Sequence, residues 1–243
     1  MKKRILILCL CTMALANNAG SLNILPKHMD YDFRQVFNSD TMFIGASADP
    51  KFPALGYIGK DYQRFYIHYS QIMKNASQQS YRISGKTKVK NTVCLFSGVL
   101  SLDSLLKGDV SEGDSSIWDG DLVGHYVFTE SDCKYPGTLQ GTVHSLVSIP
   151  KSGKAEYYYN TSMAGADGYE NNQFTGIWID SKTKASKVCN WGDFRIPESE
   201  DLDAGAAEFS PYEKYDAKGW KTYRLMLQDD SASMGLERSP WWK

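Results

Sequence analysis

From residue 62 onward the chain alternates apolar and polar side chains with a period of two, and no other feature constrains its fold as strongly. Successive side chains of an extended strand point to opposite faces, so this alternation describes strands with one face buried and one wet. Residues 62–69 are aromatic and β-branched, and 81–89 alternate with lysines. Residues 92–102 place Cys94, Phe96, Gly98, Leu100 and Leu102 on one side, and 138–149 do the same with Leu139, Gly141, Val143 and Val147. Residues 122–130, 155–159, 173–179, 187–196 and 221–227 complete the set, with 41–45 as an isolated forerunner. That is about nine or ten strands separated by turn-forming glycine, asparagine and aspartate.

No long stretch has the 3.6-residue period of a helix, so an all-β fold is expected, built as an antiparallel meander. Glycines fall inside the strand patterns at Gly98, Gly141 and Gly176. Glycine within a strand marks sharp coiling or close backbone approach, which favours a closed barrel over a sandwich. In outline the meander resembles the calycin barrels, with Gly176-Ile177-Trp178 standing for their Gly-x-Trp pair, here late in the chain. The resemblance implies the barrel architecture and carries no functional residue across.

The N-terminus reads as an export signal. Lys2, Lys3 and Arg4 precede an apolar run of eleven residues, 5–15, and Ala14-Leu15-Ala16 supplies a small-x-small cleavage pattern. The run is shorter than the roughly 20 residues that span a bilayer, and no second such run follows, so no membrane span is expected. The expected organisation is a signal at 1–19, an irregular segment at 20–61 interrupted by Pro26, Pro50 and Pro53, and a single β domain at 62–243. The working place is outside the cytoplasm, periplasmic or extracellular.

Cleavage would leave 24 basic residues against 28 acidic, shifting the net charge from -1 to -4. A mildly acidic chain without a basic block offers nucleic acid no electrostatic footprint. Cleavage would also remove Cys9 and Cys11, leaving Cys94, Cys133 and Cys189, of which one pair can oxidise outside the cytoplasm.

Signatures of catalysis are missing: there is no Gly-x-Ser-x-Gly elbow, no His-Glu-x-x-His and no glycine-rich phosphate or dinucleotide loop. The histidines, His28, His68, His125 and His144, show no His-x-His spacing, so no metal centre is expected of them. Two acidic stretches, 108–120 and 198–216, read as loops with Asp-x-Asp pairs at Asp119/Asp121 and Asp201/Asp203, the donor chemistry of a calcium site; no other cofactor is expected.

The stretch 189–197 carries the best binding chemistry. As a strand it would project Trp191, Asp193 and Arg195 from one face, an indole beside a carboxylate and a guanidinium. Such a face suits a sugar or a carboxylated small molecule, and Trp178 would line the same cavity or fill the core. The paired tryptophans at 241 and 242 are expected to dock against the domain. The expected function is therefore non-catalytic binding of a small molecule or glycan. The alternatives are a secreted hydrolase using a carboxylate pair and a structural or adhesive surface protein.

Overall fold

The computed structural model describes residues 23–27, 29–44, 47–110, 116–150, 158–159, 170–205 and 208–243. The expected signal at 1–19, with Cys9 and Cys11, lies outside them, as do His28 and residues 155–157 of one expected strand. Eleven strands are formed: β1 (Thr41–Ile44), β2 (Ser47–Pro50), β3 (Leu55–Ile58), β4 (Gln63–Lys74), β5 (Ser80–Val89), β6 (Thr92–Val110), β7 (Ile117–Ser131), β8 (Gly137–Pro150), β9 (Tyr158–Tyr159), β10 (Asn171–Asp180) and β11 (Ser186–Asp193). Two short helices follow, α1 (Lys221–Met226) and α2 (Ser231–Glu237).

Sequential neighbours pair antiparallel from β3 to β8, β8 pairs with β10, β10 with β11, and β11 returns to β3. The result is a closed eight-stranded antiparallel barrel, as the alternation and the strand glycines lead one to expect. Strands β1 and β2 form a separate hairpin, and β9 extends the edge of β8. The residues assigned to one face of β6 and β8 do point inward: Phe96, Leu100, Leu139, Val143 and Val147 are each at most 2% exposed. Closure brings backbones together at Gly141 and Gly176, which face each other across β8 and β10. A Cβ on Gly141 would stand 1.9 Å from the Thr175 carbonyl oxygen. Gly141→Ala is therefore expected to lose about 1–3 kcal/mol, read as a lower urea midpoint, because the ladder must part to admit the methyl.

The interior is aromatic. Phe174 stacks on Trp191 with ring centroids 4.8 Å apart, Tyr126 and Phe65 pack against the pair, and Phe128 and Phe96 extend the cluster from Tyr126. The segment before β1 is irregular, yet Tyr31, Phe33, Val36 and Phe37 are all buried in the same core, with Phe37 against Phe174 and Tyr81. It plugs one end of the barrel.

The structure corrects the strand assignment at three places. The first barrel strand, β3, lies upstream of residue 62 and has no alternation because both its faces are covered. Ile58 faces the main core, while Leu55 and Tyr57 join Ile196, Leu202, Phe209 and Trp220 in a second small core outside the barrel. Residues 221–227, expected as a strand, form α1 instead. The helix belongs to that outer layer, where Arg64 lies 4.1 Å from the Trp220 ring and pairs with Glu237 of α2. Residues 108–120, expected as a loop, are mostly the ends of β6 and β7, so Asp119 and Asp121 sit in a strand; 111–115 lie outside the described residues.

Among the described residues, Cys94 on β6 and Cys133 in the β7–β8 turn form a disulfide, and Cys189 is a free thiol buried in the barrel. Burial raises the Cys189 pKa well above the ordinary thiol value, so this sulfur is held as an inert thiol.

Candidate functional site

Both ends of the barrel are concave, and they divide the residues singled out in the sequence. The first is a cleft of about 500 Å³ at the end carrying the N-terminal plug. Trp191 and Asp193 lie here because β11 alternates inward through Cys189, Trp191 and Asp193. Arg195 does not join them. The strand ends at Asp193, and Phe194 adopts a left-handed backbone (φ 67°) that breaks the alternation. Arg195 instead donates through Nη1 to Asp203 Oδ2 at 2.7 Å, fastening the acidic loop to the barrel wall.

Asp193 is 3% exposed and accepts from two donors at Oδ2, Lys51 Nζ at 2.6 Å and Asn172 Nδ2 at 2.7 Å. Burial raises its pKa, and the Lys51 charge and the two hydrogen bonds only partly offset that effect. Asn172 holds the site together. It sits at a bulge in β10 with φ 47°, a conformation asparagine tolerates. Its amide also donates to the Val36 carbonyl of the plug, and its Oδ1 accepts from Ser145 Oγ.

The floor and walls differ in what they present. Trp191 and Phe174 close the floor and are each 1% exposed. The Trp191 indole N–H is spent on Tyr69 Oη at 3.1 Å. The open aromatic faces are Phe52, 50% exposed, and Trp242, half-buried. The C-terminal tail does dock, as expected: Trp242 stacks on His68 with centroids 4.0 Å apart, and Lys86 Nζ donates to its carbonyl at 2.6 Å. His68 lies 3.6 Å from Asp40, but burial lowers its pKa, and this outweighs the pull of that carboxylate. Arg238 crosses the mouth at 5.2 Å from the Phe52 ring.

Trp178 belongs to the other end of the barrel, where a second hollow of about 670 Å³ opens between hairpin turns. Its indole N–H donates to Glu130 Oε2 at 2.8 Å, and this carboxylate, 8% exposed, also accepts from Thr87 Oγ1 and the Gly137 N–H. Three donors around one buried carboxylate fix the tryptophan's orientation.

The remaining candidates are dispersed. His125 pairs with Asp103 at 2.9 Å and His144 with Asp121 at 3.5 Å, both on the outer wall and remote in sequence from His68. In the acidic loop Asp201 pairs with Lys214, Asp203 with Arg195 and Asp216 with Arg224. Among the described residues no group of three or more histidines, cysteines or acids is arranged to hold a metal ion.

Lys51, Asn172, Phe52 and Glu130 were not singled out by sequence reasoning. Only Lys51 carries a signal, a cation within the apolar run Pro50-Lys51-Phe52-Pro53. Comparison of the chain with protein-family models, with curated proteins and with solved structures finds no match.

Proposed function

We propose that the protein is an exported, non-catalytic barrel that binds a small molecule in the cleft over Phe174 and Trp191, and that an uncharged sugar-like ring suits it best. The observation that carries this reading is the cleft's pairing of open aromatic faces with balanced charge. Phe52 and Trp242 offer faces for stacking, while Lys51 and Asp193 neutralise each other and Asp40 and Arg238 are of opposite sign. A ring with hydroxyls gains from both, because its apolar face stacks and its edges bond to side-chain donors and acceptors.

A hydrolytic reading would draw on Asp40 and Asp193, the two carboxylates of the cleft. Against it stands the burial of Asp193 and the commitment of its Oδ2 to Lys51 and Asn172, which leave little of it to meet a substrate. Export draws support from the disulfide, which persists in oxidising compartments. No described helix is long and apolar enough to cross a membrane. The wall supports a water-facing barrel: its inside is aromatic, whereas Lys86, His125, Thr142 and Thr175 stand outside, interspersed with Val99 and Val127. A membrane barrel shows a continuous apolar band there.

Thermal-shift screening of the protein against neutral mono- and disaccharides tests the proposal. A ligand at a hundredfold excess over its Kd adds about 2.7 kcal/mol of stability. Phe52→Ala, at an exposed position, and Trp242→Ala, at a half-buried one, are each expected to weaken a hit by about tenfold, roughly 1.4 kcal/mol. A hit unaffected by both substitutions, or a screen without any hit, would sink the reading.

A further inference from the structure

We propose that the opposite mouth of the barrel is a second ligand site, selective for a small anion (carboxylate, phosphate or sulfate) borne on a flat ring. The inference does not rest on the cleft over Trp191, from which the aromatic interior of the barrel separates it.

The hollow is ringed by four tight hairpin connections, those of β3–β4, β5–β6, β7–β8 and β10–β11. Each is a short turn with a left-handed residue: Tyr62, Lys90, Asp132 and Lys184 all have φ between 52° and 60°. Turns of this kind fix the backbone of the rim, and a rim whose backbone need not reorganise loses less on binding. The disulfide adds to this by tying the turn that carries Tyr135 to β6.

Two aromatic residues line the hollow: Trp178, 9% exposed and held by Glu130, and Tyr135, 57% exposed on the pinned turn. The charges around them are equal in number, three lysines and three acids, but differ in how they are engaged. Of the acids, Glu130 is buried and accepts three hydrogen bonds, Asp61 is paired with Lys218, and Asp180 caps its own turn by accepting from the N–H groups of Lys182 and Thr183. Of the lysines, Lys60 and Lys90 form no ion pair among the described residues, and Lys187 lies 5.6 Å from the Trp178 ring. The mouth presents three exposed ammonium groups beside an aromatic wall, while each of its three carboxylates is already held by donors. An anion on a flat body meets both features at once.

Isothermal titration with two matched pairs, phenyl phosphate against phenol and glucuronate against glucose, reads the charge preference and separates an aromatic body from a sugar. At least one anion is expected to bind about tenfold or more tighter than its neutral counterpart, and to weaken as salt rises. The same anion is expected to shift the Trp178 indole N–H signal in a nitrogen-15 NMR spectrum, assigned from its loss in Trp178→Phe. The triple variant Lys60→Gln/Lys90→Gln/Lys187→Gln, which alters only exposed side chains, is expected to abolish the preference, and Arg238→Gln at the other end to leave it intact. The proposal is overturned if neither anion binds at about 10 mM, a concentration far above that of a real site. It is equally overturned if, read at the Trp178 signal, each anion binds no better than its neutral partner, or if the preference survives in the triple variant.

Discussion

Replacing Lys51 with alanine is expected to lower the stability of the fold by about 3–5 kcal/mol, because it strands the Asp193 carboxylate in the interior without its partner. The Lys51 and Asp193 side chains are only 6% and 3% exposed, so solvent screens little of either charge. A loss of this size is a large share of the roughly 5–15 kcal/mol that holds a domain folded. The contrast is the double variant Lys51→Met/Asp193→Leu. It removes both charges together and is expected to recover most of the loss, since a buried ion pair seldom exceeds its own desolvation cost. Urea denaturation of the three proteins measures both effects.

The pH dependence of that loss has a definite sign. The folded-state pKa of Asp193 is raised above the ordinary 3.8. The folded state therefore holds this proton more tightly than the unfolded chain does. Stability from this group is complete below 3.8 and is lost as pH rises through the folded-state value. Without Lys51 that value rises further, so the deficit of Lys51→Ala is expected to grow between about pH 4 and pH 7. A deficit that shrinks over this range would contradict the assignment of the cost to a stranded carboxylate.

Opening the Cys94–Cys133 bridge is the second large effect. The bridge spans 39 residues of sequence, and a loop of that length removes enough freedom from the unfolded chain to be worth about 4 kcal/mol. Cys94→Ala/Cys133→Ala is expected to show this loss in non-reducing buffer, and wild type to show it when reductant is added. The double variant is expected to be insensitive to reductant, because the remaining Cys189 is buried and unpaired. A loss below about 1 kcal/mol would mean that the β6–β7 hairpin already confines the same loop in the unfolded state.

The barrel was legible in the sequence where its strands are half-wet. The inward faces of β6 and β8 were readable residue by residue, and the glycines in them marked real close approaches. Legibility failed wherever a second layer covers the outer wall. Strand β3 is buried on both sides, and Arg64 and His68 of β4 point outward yet are nearly inaccessible, so no alternation survives to be read. Helix α1 is six residues long, too short for its period to show, and is held by packing on the Arg64–Trp220 contact.

The candidate site divided along the same physical line. Trp191 and Asp193 share a face because a strand connects them, which a period-two reading captures. Arg195 was lost to a single left-handed residue, Phe194, for which the residue type gives no warning. The partners that matter most to the cleft, Lys51 and Asn172, come from segments 142 and 21 residues before Asp193, and only the closed barrel brings them together.

The central claim is that a ligand enters the cleft over Phe174 and Trp191, and the six indole N–H signals in a nitrogen-15 NMR spectrum test it directly. The Trp191 N–H bonds to Tyr69 Oη at the cleft, whereas the Trp220 N–H bonds to the Tyr62 carbonyl in the separate outer core. Titration with a saccharide that raises the melting temperature is predicted to move the Trp191 and Trp242 signals in a saturable way and to leave Trp220 in place. Saturation of binding with both Trp191 and Trp242 unmoved would contradict the account.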